Sequence, residues 1–375
     1  MTQHNQPVRV AIVGAGNIAD GSHMPAIQAQ DGQAVAVAVV DVDQDRAAAF
    51  ADRWGIPEVY DDLPDMLRDA HPDLVVVCTP PLAHREAITA CLDAGVWVWC
   101  EKPPTLSLAE YDAISAHEGE RGPYVSYVFQ HRFGSAARIL REHIRNSTLG
   151  APLVGICHTL WYRDDAYFDV PWRGKWETEG GGPTMGHGIH QMDLMLSLMG
   201  EWTEVRAATG TLARDVETED VSMALARFAN GAMVSMVNSV LSPRETSYLR
   251  FDFADATVEL EHLYGYDNSH WTWTPAPHRS GDAPESLGAP TDDRPSSHAA
   301  QLAVLLRALR AGQRPEASGH DGRRALAFIA ALYQAAATGR PVTPDMLTPD
   351  NPFYHSMSGI RDTAHDQADK EQIGV

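Results

Sequence analysis

Short apolar runs alternate with amphipathic stretches over the first third of the chain. Near-continuous β-branched and small apolar residues predict strands at 8–13, 34–41, 74–78, 96–100 and 124–129. Between them a helical period predicts helices at 44–54 and 83–94, the second followed by Gly95, the residue type that ends helices in a left-handed conformation. Strands that are apolar throughout are covered on both faces, and their alternation with helices makes them parallel. Right-handed crossovers then give a doubly wound sheet.

Beyond about residue 130 the pattern changes. A helix at 135–145 leads into a strand at 153–161, an aromatic-rich loop and the run Gly180-Gly181-Gly182. A second helix is predicted at 185–199. Alternating strands follow at 204–212, 222–228, 232–240, 248–253 and 257–260. Strands in succession without helices predict a largely antiparallel sheet, so this part reads as α+β. The aperiodic stretch 275–295 has the composition of a lid or binding loop. Helices at 297–311 and 321–337 close the second region, residues 351–354 have no assigned role, and 363–375 reads as a polar tail. The expected division is 1–128 for a cofactor domain, 129–345 for a substrate and oligomerisation domain, and 346–375 for a C-terminal extension.

Length and charge narrow the function. A chain of 375 residues exceeds one ordinary core, which agrees with two domains. Fifty acidic residues against 29 basic ones give a net charge of -21, the opposite of a nucleic-acid binder's footprint. The four cysteines, Cys78, Cys91, Cys100 and Cys157, include no paired spacing, so neither a zinc ribbon nor a disulfide framework is expected. No apolar stretch approaches the roughly twenty residues that span a bilayer, and the first residues lack a leader's basic and apolar regions. The expected location is cytoplasmic, with no membrane partner.

The chemistry begins at Gly14-Ala15-Gly16-Asn17-Ile18-Ala19, between a predicted strand and helix. The first glycine allows a tight turn, the second lets backbone approach a pyrophosphate, and a small third residue lets helix and strand pack closely. Gly14, Gly16, Asn17 and Ile18 are therefore expected at a dinucleotide. Asp41 ends the second strand, where a carboxylate bonds the ribose hydroxyls of NAD. Arg46, one turn into the next helix, is the only nearby cation that would favour a 2′-phosphate, so NAD is the expected cofactor. Lys102, in Cys100-Glu101-Lys102-Pro103, stands at the C-terminal end of a buried strand, where open α/β sheets place ligands. The proline behind it stops the strand.

These residues, with Cys78-Thr79-Pro80-Pro81-Leu82-Ala83-His84, Gln130-His131-Arg132-Phe133 and the run from Gly180 to Asp193, resemble the Gfo/Idh/MocA oxidoreductase family over most of the chain. The resemblance implies an N-terminal Rossmann domain, then an α+β domain built on an open, mostly antiparallel sheet. It also implies a sugar or polyol substrate and homo-oligomers, dimers or tetramers, through that sheet. By position, Lys102 matches the family's lysine at nicotinamide and reacting hydroxyl, and His190 its general acid/base. Asp193, one turn along, is expected to orient His190. Thr79, Pro80, His84, Glu101 and Gln130 are expected at the cofactor, and Arg132 at the substrate. The family commonly carries an aspartate four residues before this histidine; here that residue is Gly186, followed by His187.

The stretch 161–176 is dense in aromatics interleaved with cations, as a carbohydrate pocket's walls and polar contacts are. Trp161, Arg173, Lys175 and His187 are expected there. His187 and His190 share the spacing of a metal pair, but no third ligand accompanies them and no metal is expected. The leading expectation is an NAD-dependent dehydrogenase of a sugar or polyol. In it His190 acts as general base while Lys102 polarises the hydroxyl, or the two roles are exchanged. The alternatives are a glycosidase-type enzyme that oxidises, eliminates and re-reduces, and a non-catalytic dinucleotide-binding regulator.

Overall fold

The computed structural model describes residues 6–279, 281 and 292–360. Its first sheet contains β1 (Val8–Val13), β2 (Ala34–Val40), β3 (Glu58–Tyr60), β4 (Leu74–Val77), β5 (Trp97–Cys100) and β6 (Val125–Tyr127). All pairings are parallel, in the order β3-β2-β1-β4-β5-β6. This is the doubly wound order, and its reversal between β1 and β4 opens a crevice at the strand C-termini. The helices of this half are α1 (Met24–Gln28), α2 (Gln44–Trp54), α3 (Leu63–Ala70), α4 (His84–Asp93) and α5 (Leu108–Ser115). Asp43, Asp62 and Ser107 cap α2, α3 and α5 by accepting backbone N–H groups, and Gly55 ends α2 at φ +67°. The short β3 escaped the sequence pattern because Glu-Val-Tyr is no apolar run.

The second half adds α6 (Ser135–Arg145), β7 (Pro152–Tyr162), α7 (Asp165–Phe168), α8 (Trp176–Glu179) and α9 (Ile189–Met199). Strands β8 (Trp202–Gly210), β9 (Val221–Phe228), β10 (Met233–Ser239), β11 (Leu241–Phe253), β12 (Ala256–His262) and β13 (Trp271–Pro275) follow. The sheet order is β13-β12-β11-β7-β10-β9-β8, antiparallel except for the parallel pair β7–β10. Side chains alternate along β9: Ala224, Ala226 and Phe228 are buried, Met223 and Leu225 exposed. The buried face packs in one cluster with α9 and α11 (Gly319–Thr338).

Helix α10 (His298–Ala311) departs from expectation. Its Leu302, Leu305 and Leu306 join Val10, Ile12 and Trp99 of the parallel sheet and Ile27 of α1, so it returns to the first half. After α11, the short α12 (Pro352–His355) folds back on the body. Tyr354 donates to Asp112 on α5 at 2.8 Å, and Asn351 donates to Gln334 on α11 at 2.9 Å. Residues 282–291 of the predicted loop and the predicted tail lie outside the described residues. Among the described residues no helix is long and apolar enough to cross a membrane.

Candidate active site

The crevice is built by three strand ends. Gly14 closes β1 at φ +94°, and a Cβ there would lie 3.0 Å from the Cys78 carbonyl, so the β1 and β4 ends meet only with glycine. At Gly16 the reverse holds: a Cβ would meet nothing within 4 Å, leaving bare backbone facing open space. Asn17 and Ile18 are exposed beside it, Ala19 is buried beneath, and Thr79 and Pro80 follow β4 across the crevice. An open glycine turn feeding a helical segment fits a pyrophosphate, so these residues would hold the NAD phosphates.

Asp41, just beyond β2, is buried and fully engaged. Its Oδ2 accepts from the Ala15 N–H at 2.7 Å and Arg46 Nε at 3.0 Å. Its Oδ1 accepts from the Asp43 N–H at 2.9 Å and Arg46 Nη2 at 2.5 Å. Burial acts to raise this carboxyl, but Arg46 and the two backbone donors hold it below the usual carboxylate range. Asp41 does not cap α2, a role that falls to Asp43. The Arg46 side chain is half exposed.

At the end of β5, two side chains expected at the cofactor have partners within the protein. Glu101 is buried below the crevice, its Oε1 accepting from His23 Nε2 at 2.9 Å and His298 Nε2 at 3.2 Å. Burial alone would raise its carboxyl; the two histidines outweigh that and hold it well below the usual range. A carboxylate in a dry site keeps its charge only with such donors. His84 likewise is wholly buried, with Nδ1 3.0 Å from the Pro103 carbonyl and Nε2 3.0 Å from that of Thr79. It ties the β4 and β5 ends together and leaves neither nitrogen for a cofactor. The Lys102–Pro103 peptide is cis.

Lys102 instead crosses to the second half, donating from Nζ to the Gly186 carbonyl at 2.8 Å. Gly186 lies in a π-turn, Thr184–Gly188, through which the chain enters α9; the wider i→i+5 turn replaces the first part of the predicted helix. His187 packs edge-on against Trp161 with centroids 5.3 Å apart, and its Nε2 lies 3.2 Å from the Tyr167 hydroxyl. His190 faces the rings of His131 and Tyr264, at 5.4 and 5.5 Å. The Nδ1 atoms of both histidines are buried without a partner among the described residues. Burial lowers the Lys102 ammonium, with Arg173 adding to the fall and the Glu101 and Glu179 carboxylates opposing it. Burial, then the Lys102 charge, depress His187 and His190 well below the ordinary histidine value.

Asp193 and Arg132 pair with each other rather than with His190 and substrate. Arg132 donates Nε to Asp193 Oδ2 at 2.5 Å and Nη2 to Oδ1, and its Nη1 reaches Asp321 on α11. Both members of the pair are buried. A buried guanidinium demands a carboxylate and binds one bidentately, whereas a neutral imidazole offers a single donor. Lys175 is exposed before α8. Gln130 is buried behind Tyr264, donating to its hydroxyl. Trp161 is held by an Nε1 donation to Ser247 at 3.0 Å, and Arg173 lies 3.8 Å from the Tyr167 ring centroid while donating to its hydroxyl.

Lys102, His187, His190, Trp161 and Arg173 thus converge, together with His131, Tyr167, Tyr264 and Glu179. Tyr264 carried no sequence signal, sitting in the short turn Leu263-Tyr264-Gly265-Tyr266 after β12. Glu179 precedes the glycine run, and only the glycine at 186 hinted that a carboxylate had to come from elsewhere. Among the described residues, His23, Glu101 and His298 are the trio whose metal-ligating atoms cluster, within 4.8 Å of one another.

Comparison with known proteins agrees with this geometry. Residues 8–129 match the oxidoreductase family with the NAD-binding Rossmann fold, and 137–279 match the GFO/IDH/MocA C-terminal domain. The chain is 29% identical over 363 residues to D-glucoside 3-dehydrogenase of Escherichia coli, covering 90% of this chain and 98% of that one. It is 27% identical over 328 residues to myo-inositol 2-dehydrogenase of Thermotoga maritima, covering 85% and 93%. The structure of the WlbA dehydrogenase from Chromobacterium violaceum, in complex with NADH and UDP-GlcNAcA, superposes with a TM-score of 0.79 at 25% identity, covering 90% and 96%. With one family matching both halves and an open glycine turn facing a strand-end lysine, the chain belongs to the Gfo/Idh/MocA family of NAD-dependent oxidoreductases.

Proposed function

We propose that this protein oxidises one secondary or anomeric hydroxyl of a sugar or polyol. Bound NAD supplies the hydride acceptor. Lys102, as the neutral amine, takes the hydroxyl proton while the C–H bond gives up its electron pair and the carbonyl forms. His190 stays neutral and hydrogen-bonds the same oxygen. The reversed assignment of base follows from the environment: burial, the larger cause, makes His190 a weak base even beside a neutral lysine, while burial brings the Lys102 ammonium down toward working pH. Trp161, Tyr167 and Tyr264 form apolar walls for the ring, and Arg173 lies near enough to bond its hydroxyls.

The observation that carries this reading is Lys102 bonded across the crevice to the turn that presents His187 and His190. The test is a panel of sugars and polyols assayed for NADH formation with wild type, Lys102→Ala and His190→Ala. Lys102→Ala is expected to lose about 100-fold or more in turnover, as removal of a proton acceptor does. Wild-type turnover in both variants refutes the assignment. NAD binding without NADH from any substrate favours the regulator, and product change without net NADH favours the redox elimination.

The proposed cofactor unit is 1–128 with α10 added. A second copy is the proposed partner, docking on the outer face of the second sheet, where Val154, Met223, Leu225 and Met233 are 45–57% exposed. Sedimentation of wild type and Leu225→Glu tests this: a wild-type monomer refutes it.

A further inference from the structure

Proton uptake by Lys102 places a positive charge in a buried pocket that already holds Arg173, with Arg163 nearby. Something negative must face it. Glu101, adjacent in sequence, favours the ammonium but is already shared between His23 and His298. Asp193 is committed to Arg132. The second carboxylate that favours the Lys102 charge is Glu179, the last residue of α8 and 5% exposed. Its Oε2 accepts the Gly174 N–H at 2.6 Å, and its Oε1 lies 3.5 Å from Arg173 Nη1.

Its place relative to residue 186 is the informative point. A Cβ added to Gly186 would meet one heavy atom within 4 Å, the Glu179 Oε1, at 3.4 Å. The Gly186 carbonyl is the same one that accepts Lys102 Nζ. A carboxylate from α8 therefore lies in van der Waals reach of the position from which a side chain at 186 would start, one residue from His187 and against the turn that holds the lysine.

We propose that Glu179 is a positioning residue of this site: it supplies the counter-charge for Lys102 and, through Arg173 and Tyr167, fixes His187. The proposal rests on the dehydrogenase reading for its purpose but not for its measurement. Burial raises the Glu179 carboxyl while Gly174, Arg173 and Lys102 pull it down and Glu219 adds to the rise. With the Glu179 charge removed, Lys102 loses a stabilising partner and its ammonium becomes easier to deprotonate.

The chain has three lysines, Lys102, Lys175 and Lys370, so the Lys102 side-chain amine is followed individually by NMR of selectively labelled protein, assigned with Lys102→Ala. Glu179→Gln is expected to lower the Lys102 midpoint by about half a pH unit or more, as loss of a nearby charge does. The rising limb of kcat/KM for hydroxyl oxidation moves down with it. Gly186→Asp in the Glu179→Gln background, restoring a carboxylate in the same space, is expected to move both back toward wild type. Gly186→Asp alone is expected to move the midpoint up, which keeps the proposal testable if Glu179→Gln does not fold. An unmoved Lys102 midpoint in a folded Glu179→Gln, or in folded Gly186→Asp, overturns it, whatever happens to turnover. If no substrate yields NADH but the midpoint moves as stated, the dehydrogenase reading falls and this one stands.

Discussion

The pairing of Asp193 with Arg132 makes a sharp prediction, because it competes with the role expected of the same residue at His190. As an orienting partner of His190, its loss would damage catalysis. As half of a buried ion pair, its loss would damage the fold. The perturbation is Asp193→Asn, which keeps the shape and removes the charge. Arg132 would then sit buried with Asp321 as its sole remaining carboxylate, and that side chain is 39% exposed. Breaking a buried pair by removing one partner costs about 3–5 kcal/mol. For a chain of this length the unfolding entropy is roughly 0.8 kcal/mol/K, so the midpoint falls by about 4–6 °C if the molecule melts as one unit. If the second half melts separately, the fall is larger. Calorimetry measures the shift, and kcat/KM taken well below the transition measures the chemistry. The expected result is a large thermal loss with kcat/KM within a few-fold of wild type and an unmoved pH profile. An unchanged midpoint with a hundredfold loss of kcat would refute the argument and return Asp193 to His190.

Two further outcomes follow from the charges at the crevice. Arg46 is the cation available to a 2′-phosphate, so Arg46→Ala is expected to lower kcat/KM with NADP relative to NAD by about tenfold or more, the scale of one charge-assisted hydrogen bond; an unchanged ratio counts against it. Glu101 is held well below its unfolded value of about 4.3, so its stabilisation is full above that value and is lost as pH falls through the folded one. Urea midpoints are therefore expected to drop less between pH 7 and about pH 3 in Glu101→Gln than in wild type, and equal drops would show that the two histidines give the carboxylate nothing.

Much of the architecture was legible because it rests on period. Apolar strands at 8–13 and 74–77, the helix at 135–145 and the alternation along β9 each follow from which faces must be buried. Gly14 and Gly16 were legible for a related reason: one needs a positive φ and the other needs empty space, and only glycine meets either demand. Helix α10 was misplaced because its apolar stripe shows that it packs, not which sheet receives it. The same limit explains β3 and β13, whose pairing partners hold them more than their own composition does.

Within the site, residue type was legible and partnership was not. His190 and Asp193 share a helix face, and spacing alone joins them. The fold brings Arg132 to the same carboxylate from another element, and in a dry interior a full positive charge outcompetes a neutral ring. Asp193 is taken by Arg132, and Glu101, which favours the lysine's charge, is shared with His23 and His298. Glu179 then has a reason to be buried at some electrostatic cost, next to a glycine that leaves it room. The glycine at 186 and the glutamate at 179 are two halves of one arrangement. Neither is intelligible alone, because the constraint that couples them is the charge on Lys102, which acts through space rather than along the chain.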